Sequence, residues 1–376
     1  MVINGYALEA ELQNANSGFS KWGFAKKYGK SYFIKELINP VYPTDRSIMS
    51  EEMFAQRCAK CVEYENRFKT FYNAINNASC GNLVRIDEFF RSGSRYYLIT
   101  EKIEEKSVPL SILAGLPENK KILLLKTVAN GFYRLHSAGI VHFDVKPANI
   151  LVKKTRNGNY AGKLIDFDAG FFIGEDIENS ELGGDLTYLA PETCRALCGE
   201  DVRIDEKADI FALGLVFHQY CTGKLPYYNT AEYEYPYESV LDDCQLVIDK
   251  GSISPQLCAL IESMLAVDPA KRPSAGDIFN TLNAIEGATV PNVDPTATVV
   301  VNAYTGSFGG SGSVRGSRFK GSLSMMGKTE SVPLTGTSIP VSAPVAIDPA
   351  RTAPVAPVVP VAPAEKSPWF TSAGDL

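Results

Sequence analysis

The segment covering residues 135–152, LHSAGIVHFDVKPANILV, constrains this chain more than any other. Asp144 stands five residues before Asn149, with Lys146 two after the Asp and Pro147 between. An amphipathic, helix-like run precedes it and the apolar Ile150-Leu151-Val152 follows, so the segment reads as helix, loop and short buried strand. Asp and Asn beside a proline usually make turns. The fixed interval, with Leu135-His136 and Gly139-Ile140-Val141-His142 on one side and the strand on the other, argues for chemistry instead. Twenty-two residues after Asp144, KLIDFDAGFF ends an apolar strand in Asp166-Phe167. A carboxylate at a strand end is a hard oxygen ligand suited to Mg2+.

The elements around these segments fall into two groups. YALEAEL, WGFAKK, SYFIKEL, NLVRIDEFF and RYYLITEKI read as strands, interrupted by a helical run over residues 50–75. After about Ser107 the spacing turns helical in NKKILLLKTVANGFYRLHSAG, DEKADIFALGLVFHQYCTG and SPQLCALIESMLAVD. The expected class is therefore α+β: a small antiparallel sheet lobe carrying one long helix, over about residues 1–103, then a larger helical lobe, over about residues 104–286.

Composition shifts after Glu286. Residues 287–376 hold 11 of the 22 prolines with GSFGGSGSVRGS and a repeated Pro-Val-Ala run, and read as a disordered tail without a core. Its prolines suit polyproline II docking of a partner, and Trp369-Phe370 is an aromatic pair unusual in a spacer. The net charge of −6 divides into −7 for the body and +1 for the tail, which offers no footprint for nucleic acid or a membrane surface. Neither a leader peptide nor a membrane span is visible. Eight scattered cysteines read as reduced thiols of a cytoplasmic protein, and the Cys58-x-x-Cys61 pair as helix packing rather than a zinc site.

The loop of Asp144, Lys146 and Asn149 closely resembles the catalytic loop of eukaryotic-type serine/threonine protein kinases, with HFD in place of HRD. Asp166-Phe167-Asp168 resembles the DFG motif of that family with Asp for Gly, and Ala190-Pro191-Glu192 matches APE. The resemblance implies a bilobal kinase fold and Mg-ATP as cofactor. By it, Asp144 orients the substrate hydroxyl, Lys146 neutralises the transferred phosphoryl group, and Asn149 and Asp166 hold metal. Lys35, among alternating apolar residues, looks like the strand lysine that contacts the α- and β-phosphates. Its carboxylate partner is expected in the following helix, with Glu65, on one face with Phe68, Tyr72 and Ile75, ahead of Glu63. QNANSGFSKW keeps Gly18 of the phosphate-covering loop, with Gln13 and Ala15 where the family has glycine. Thr100 would flank the adenine pocket, and the backbone of Glu101 and Ile103 would contact the base.

Gly184, Thr187 and Tyr188 resemble the peptide-binding shelf, Lys207-Ala208-Asp209-Ile210 the helix that anchors the catalytic loop, and Lys271-Arg272-Pro273 the turn whose Arg pairs with Glu192 in a buried ion pair. A protein substrate carrying Ser or Thr follows, and Lys146 leans away from tyrosine. Phe143 replaces the Arg that receives a phosphorylated activation loop, so activity is expected without such phosphorylation. Asp168 reads first as a cap of the following turn, and second as a carboxylate added near the metals or a hindrance to an Asp166-Phe167 flip. The altered glycine loop and Asp168 keep open a kinase-shaped nucleotide-binding module without catalysis, and the shared Asp-to-Asn loop a small-molecule kinase.

Overall fold

The structure is a computed structural model and describes residues 1–14, 20–103, 107–175 and 184–289, the last four of these by backbone alone. Gly18 and, of the tail, residues 290–376 lie outside the described residues. The first group of elements is β1 (Val2–Ile3), β2 (Tyr6–Leu8), β3 (Gln13–Asn14), β4 (Ser20–Lys27), β5 (Lys30–Leu37), α1 (Glu51–Ala78), β6 (Ile86–Ser92) and β7 (Arg95–Glu101). The strands form one antiparallel sheet in the order β1-β2-β4-β5-β7-β6, with β3 on β4.

Two tight turns set the registers. Asn4-Gly5 (φ 47° and 83°) joins β1 to β2, and Tyr28-Gly29 (φ 51° and 75°) joins β4 to β5. Positive φ at both central residues marks the two-residue hairpin turn whose twist matches that of the strands. The period of two then sorts side chains: Tyr97 and Ile99 of β7 join Ile3, Tyr6, Ala25 and Ile34 on one face. Tyr96 and Leu98 point the other way, toward α1. Ser50 caps α1, its Oγ accepting from Met53 N at 3.2 Å. The helix buries Cys61, Phe68, Phe71, Tyr72 and Ile75 against β6 and β7, where Phe89 and Tyr96 meet its aromatic stripe. Cys61 thus sits in packing, its carbonyl accepting from Tyr96 Oη at 3.1 Å.

The second group is α2 (Leu110–Ala114), α3 (Glu118–Ser137), β8 (Ile140–Val141), β9 (Ile150–Lys154), β10 (Tyr160–Leu164), β11 (Phe171–Phe172), α4 (Pro191–Leu197), α5 (Lys207–Thr222), α6 (Pro236–Leu241), α7 (Pro255–Met264) and α8 (Ala275–Thr289). Helix α5 is buried almost all round, as its apolar sequence dictates, and α3 and α7 lie against it. Among the described residues no helix is long and apolar enough to cross a membrane.

Two short ladders position what matters for function. β9 pairs with β10, and β8 with β11. Leu164, at the end of β10, is tied to the segment between α1 and β6: its N–H donates to Asn82 O at 2.7 Å and its carbonyl accepts from Val84 N at 2.8 Å. Asp166 is thereby delivered beneath β5. The bilobal arrangement expected from the sequence is the one observed.

Candidate active site

The loop after β8 is held from below by one buried carboxylate. Asp209 of α5 accepts from His142 N at 2.8 Å through Oδ2 and from Phe143 N at 2.8 Å through Oδ1, while His136 Nε2 lies 2.9 Å from Oδ2. These bonds hold Phe143 at φ 67°, a left-handed conformation that costs a bulky residue on the order of 1–3 kcal/mol. The Phe143 ring lies edge-on to Phe171 of β11, centroids 5.2 Å apart.

From this support Asp144 projects among fixed partners. Asn149 Nδ2 donates to Asp144 Oδ2 at 2.7 Å and to its carbonyl at 2.8 Å, and Lys146 Nζ lies 3.0 Å from Oδ2. Asp185 N approaches Oδ1 at 3.3 Å, and a Cβ on Gly184 (φ 130°) would stand 3.9 Å from that oxygen and 3.4 Å from Phe143 O. With its amide nitrogen spent on Asp144, Asn149 keeps Oδ1 as an acceptor. Asn149 O accepts from Ile165 N at 3.0 Å, which links this loop to the residue before Asp166. His142 Nε2 meets Ile165 O at 3.0 Å, and Asp166 adopts φ 61°.

Lys35, largely buried on β5, places Nζ 2.8 Å from Asp166 Oδ1 and 2.7 Å from Asp168 Oδ2. Burial disfavours its charge, but the Asp168 and Asp166 carboxylates outweigh that and raise its pKa. The protein packed around Asp166 disfavours its charge, yet Lys35 holds its carboxyl below the ordinary range. Burial pushes Asp168 up, against the pull of Lys35 and with the push of Asp166.

Above these groups opens a cleft of about 240 Å³. Phe24 and Phe33 form one wall and Leu151 and Ile165 the other. Lys35, Tyr72 and Leu98 stand at the back, and Thr100, Glu101 and Ile103 along the edge. Glu101 N is spent on Arg85 O, and its side chain binds Lys163 Nζ at 2.6 Å. This largely apolar slot ending in an ammonium and two carboxylates suits a planar base joined to a cation-bound polyphosphate.

One expected site residue is not brought in. Glu65 does not reach Lys35; its Oε1 takes Lys69 Nζ at 2.6 Å, one turn along α1. The helix face toward the cleft is aromatic, with Tyr72 lining it and Phe71 against Phe172, and Glu63 is exposed. Asp168 is a second correction: neither carboxylate oxygen caps a turn, since Oδ2 is on Lys35 and Oδ1 is buried without a partner. Phe24, Phe33, Leu151 and Tyr72 were not singled out from sequence; the alternation of β4 and β5 was the available signal for the first two.

The expected support beneath the shelf is present. Glu192 and Arg272 form a buried bidentate pair at 2.6 and 2.8 Å. Tyr188 Oη donates to Gln219 Oε1 at 2.8 Å.

The protein kinase domain family model matches residues 47–282, well over half of the chain. The chain belongs to the protein kinase domain family. Its Lys35 strand precedes the matched range. The kinase domain is 26% identical over 233 residues to a serine/threonine-protein kinase of Myxococcus xanthus, covering 59% of this chain and 27% of that protein. A second M. xanthus serine/threonine-protein kinase is 29% identical over 232 residues, covering 60% of this chain and 32% of the relative. A probable serine/threonine-protein kinase of Dictyostelium discoideum is 30% identical over 214 residues, covering 54% and 20%. The chain thus spans a third or less of the length of these three relatives.

Proposed function

We propose that this kinase domain, taken as residues 1–286, transfers the γ-phosphoryl group of ATP to Ser or Thr hydroxyls of protein substrates. The observation that carries this reading is Asp144, gripped by Asn149 and Lys146 on a loop that the bond from Ile165 N to Asn149 O joins to Asp166, which itself lies 2.8 Å from Lys35 in the cleft. Asp144 orients the hydroxyl and takes its proton; Lys146 offsets charge on the group in transfer. Asn149 Oδ1 and Asp166 are the residues that would hold Mg2+, and Lys35 the one that would hold the phosphates. Bound Mg-ATP supplies the phosphoryl group and the neutralisation of its oxygens. The edge at Glu101 and Ile103 would carry the base.

The same reading makes activity independent of activation-loop phosphorylation. Phe143 fills with an aromatic contact to Phe171 the place where a cation would receive a phosphate, so an added phosphate gains no partner there. The free thiols among the described residues fit a reducing, cytoplasmic setting.

The test is label transfer from ATP with Mg2+ to a generic protein substrate, using phosphatase-treated protein and an Asp144→Asn control. We expect label on Ser and Thr that is lost in the control. Nucleotide binding without Asp144-dependent transfer would leave a binding module; transfer only after loop phosphorylation would overturn the second claim.

A further inference from the structure

Lys35 is a buried ammonium, and such a group needs a counter-charge at every stage of a working cycle. If Asp166 is to turn toward a cation, a second carboxylate must stay behind. The long helix does not supply it. Glu65 is taken by Lys69, and the α1 side chain that lines the cleft beside Lys35 is Tyr72.

Asp168 does supply it, at 2.7 Å from Nζ and with no other hydrogen-bond partner for either oxygen among the described residues. The chain around it explains how a carboxylate fits where a small residue is expected. The close approach in this loop falls two places later, at Gly170, where a Cβ would stand 2.6 Å from Phe71 Cζ and 2.9 Å from Val141 O. Residue 168 is therefore free to carry a side chain.

The ionic contact between α1 and this loop runs in the opposite sense. Arg67 Nε of α1 donates to Glu175 Oε1, and Glu175 Oε2 accepts from Phe172 N at 3.0 Å. The cation is on the helix and the carboxylate on the loop.

We propose that Asp168 is the positioning residue for Lys35, taking the part expected of a helix glutamate, so that placement of the phosphate-binding ammonium does not depend on movement of α1. The proposal rests on the reading of Lys35 as the phosphate ligand, and its test reads binding before transfer.

The measurement is the affinity of the full chain for a non-hydrolysable ATP analogue with Mg2+, by calorimetry, in a Lys35→Met and Asp168→Asn double-mutant cycle. Each single change is expected to weaken binding by about tenfold, and the double change no more than the larger single one. Asp168→Gly, which lacks the carboxylate but places no bulk in the loop, is expected to match Asp168→Asn. In the transfer assay Asp168→Asn is expected to raise KM for ATP and leave KM for the protein substrate unchanged. Affinity within about twofold of the parent for both Asp168 variants, or multiplying effects in the double variant, would overturn the proposal. So would a loss on Glu65→Gln as large as that on Asp168→Asn. Should the parent bind the analogue with this pattern yet transfer no label, the proposal stands and the activity reading falls.

Discussion

Arg272 and Glu192 meet through two parallel hydrogen bonds, Nη1 to Oε1 at 2.6 Å and Nη2 to Oε2 at 2.8 Å, with the Arg272 side chain wholly buried. The remaining guanidinium hydrogens are also spoken for, with Nε on Ala266 O, Nη1 on Lys207 O and Nη2 on Val267 O. Helix α4, the start of α5 and the turn before α8 are thus joined at one residue. Removing a single partner from a buried pair leaves an uncompensated charge, so Glu192→Gln is expected to cost about 3 kcal/mol in urea unfolding. Arg272→Lys is expected to fare no better, because an ammonium cannot reproduce the planar fork.

Asp209 stands directly beneath the catalytic loop. An amide in its place turns a donor toward one of the two backbone N–H groups it serves, at His142 and Phe143. We expect Asp209→Asn to lose on the order of 2 kcal/mol of stability, since hydrogen bonds to a charged acceptor lie in that range. Displacement of Asp144 is expected to cost about 100-fold in kcat, with KM for ATP little changed. Equal kcat in the variant would show that the loop keeps its shape without this support.

His218 links stability to pH. Its Nδ1 meets Lys224 O at 2.8 Å and must carry the proton, while Nε2 accepts from Asp249 N at 3.1 Å and must not. Burial lowers its pKa, and the bond to Lys224 O only partly offsets this. A folded pKa below the ordinary 6.5 means that the unfolded chain takes up the proton first. The contribution is complete above 6.5 and is lost as pH falls toward the folded value. Urea midpoints at about pH 8 and about pH 5 are expected to differ by less in His218→Asn than in the parent, and equal differences would remove His218 as the cause.

The Arg67 contact with Glu175 is half-exposed, so its loss is expected to change global stability by no more than about 1 kcal/mol. Its effect is local. In Arg67→Ala, hydrogen exchange is expected to accelerate over Phe171–Phe172 and the residues up to Glu175, with exchange in α5 unchanged. A uniform rise across the domain would contradict a local tether.

What the sequence disclosed follows from how far each contact reaches along the chain. Asp144, Lys146 and Asn149 converge through a loop of six residues, so their spacing alone places them together. The Glu192 and Arg272 pair spans 80 residues and was still legible, because each lies in a short pattern with its own local structure. The partner of Lys35 was not. Phases along α1 put Glu65 on the same stripe as Phe68 and Tyr72, but the rotation of that stripe against the sheet is set by packing with Phe89 and Tyr96, which no spacing encodes. The i to i+4 bond from Glu65 to Lys69 was readable and competes directly. Asp168 looked like a turn former because turns are where Asp usually sits, and only the fold brings it to an ammonium 133 positions earlier.

Tyr72 gives the back of the cleft its chemical signature. Its hydroxyl is buried without a partner beside the Lys35 cluster, and nearby Asp168 and Asp166, after burial itself, hold its pKa well above the ordinary value. A phenol that stays protonated is a directional donor. Tyr72 therefore closes the back of the cleft without adding a third negative charge beside Lys35, Asp166 and Asp168, as a glutamate at the same point would. The net charge facing a bound polyphosphate is to that extent set by α1.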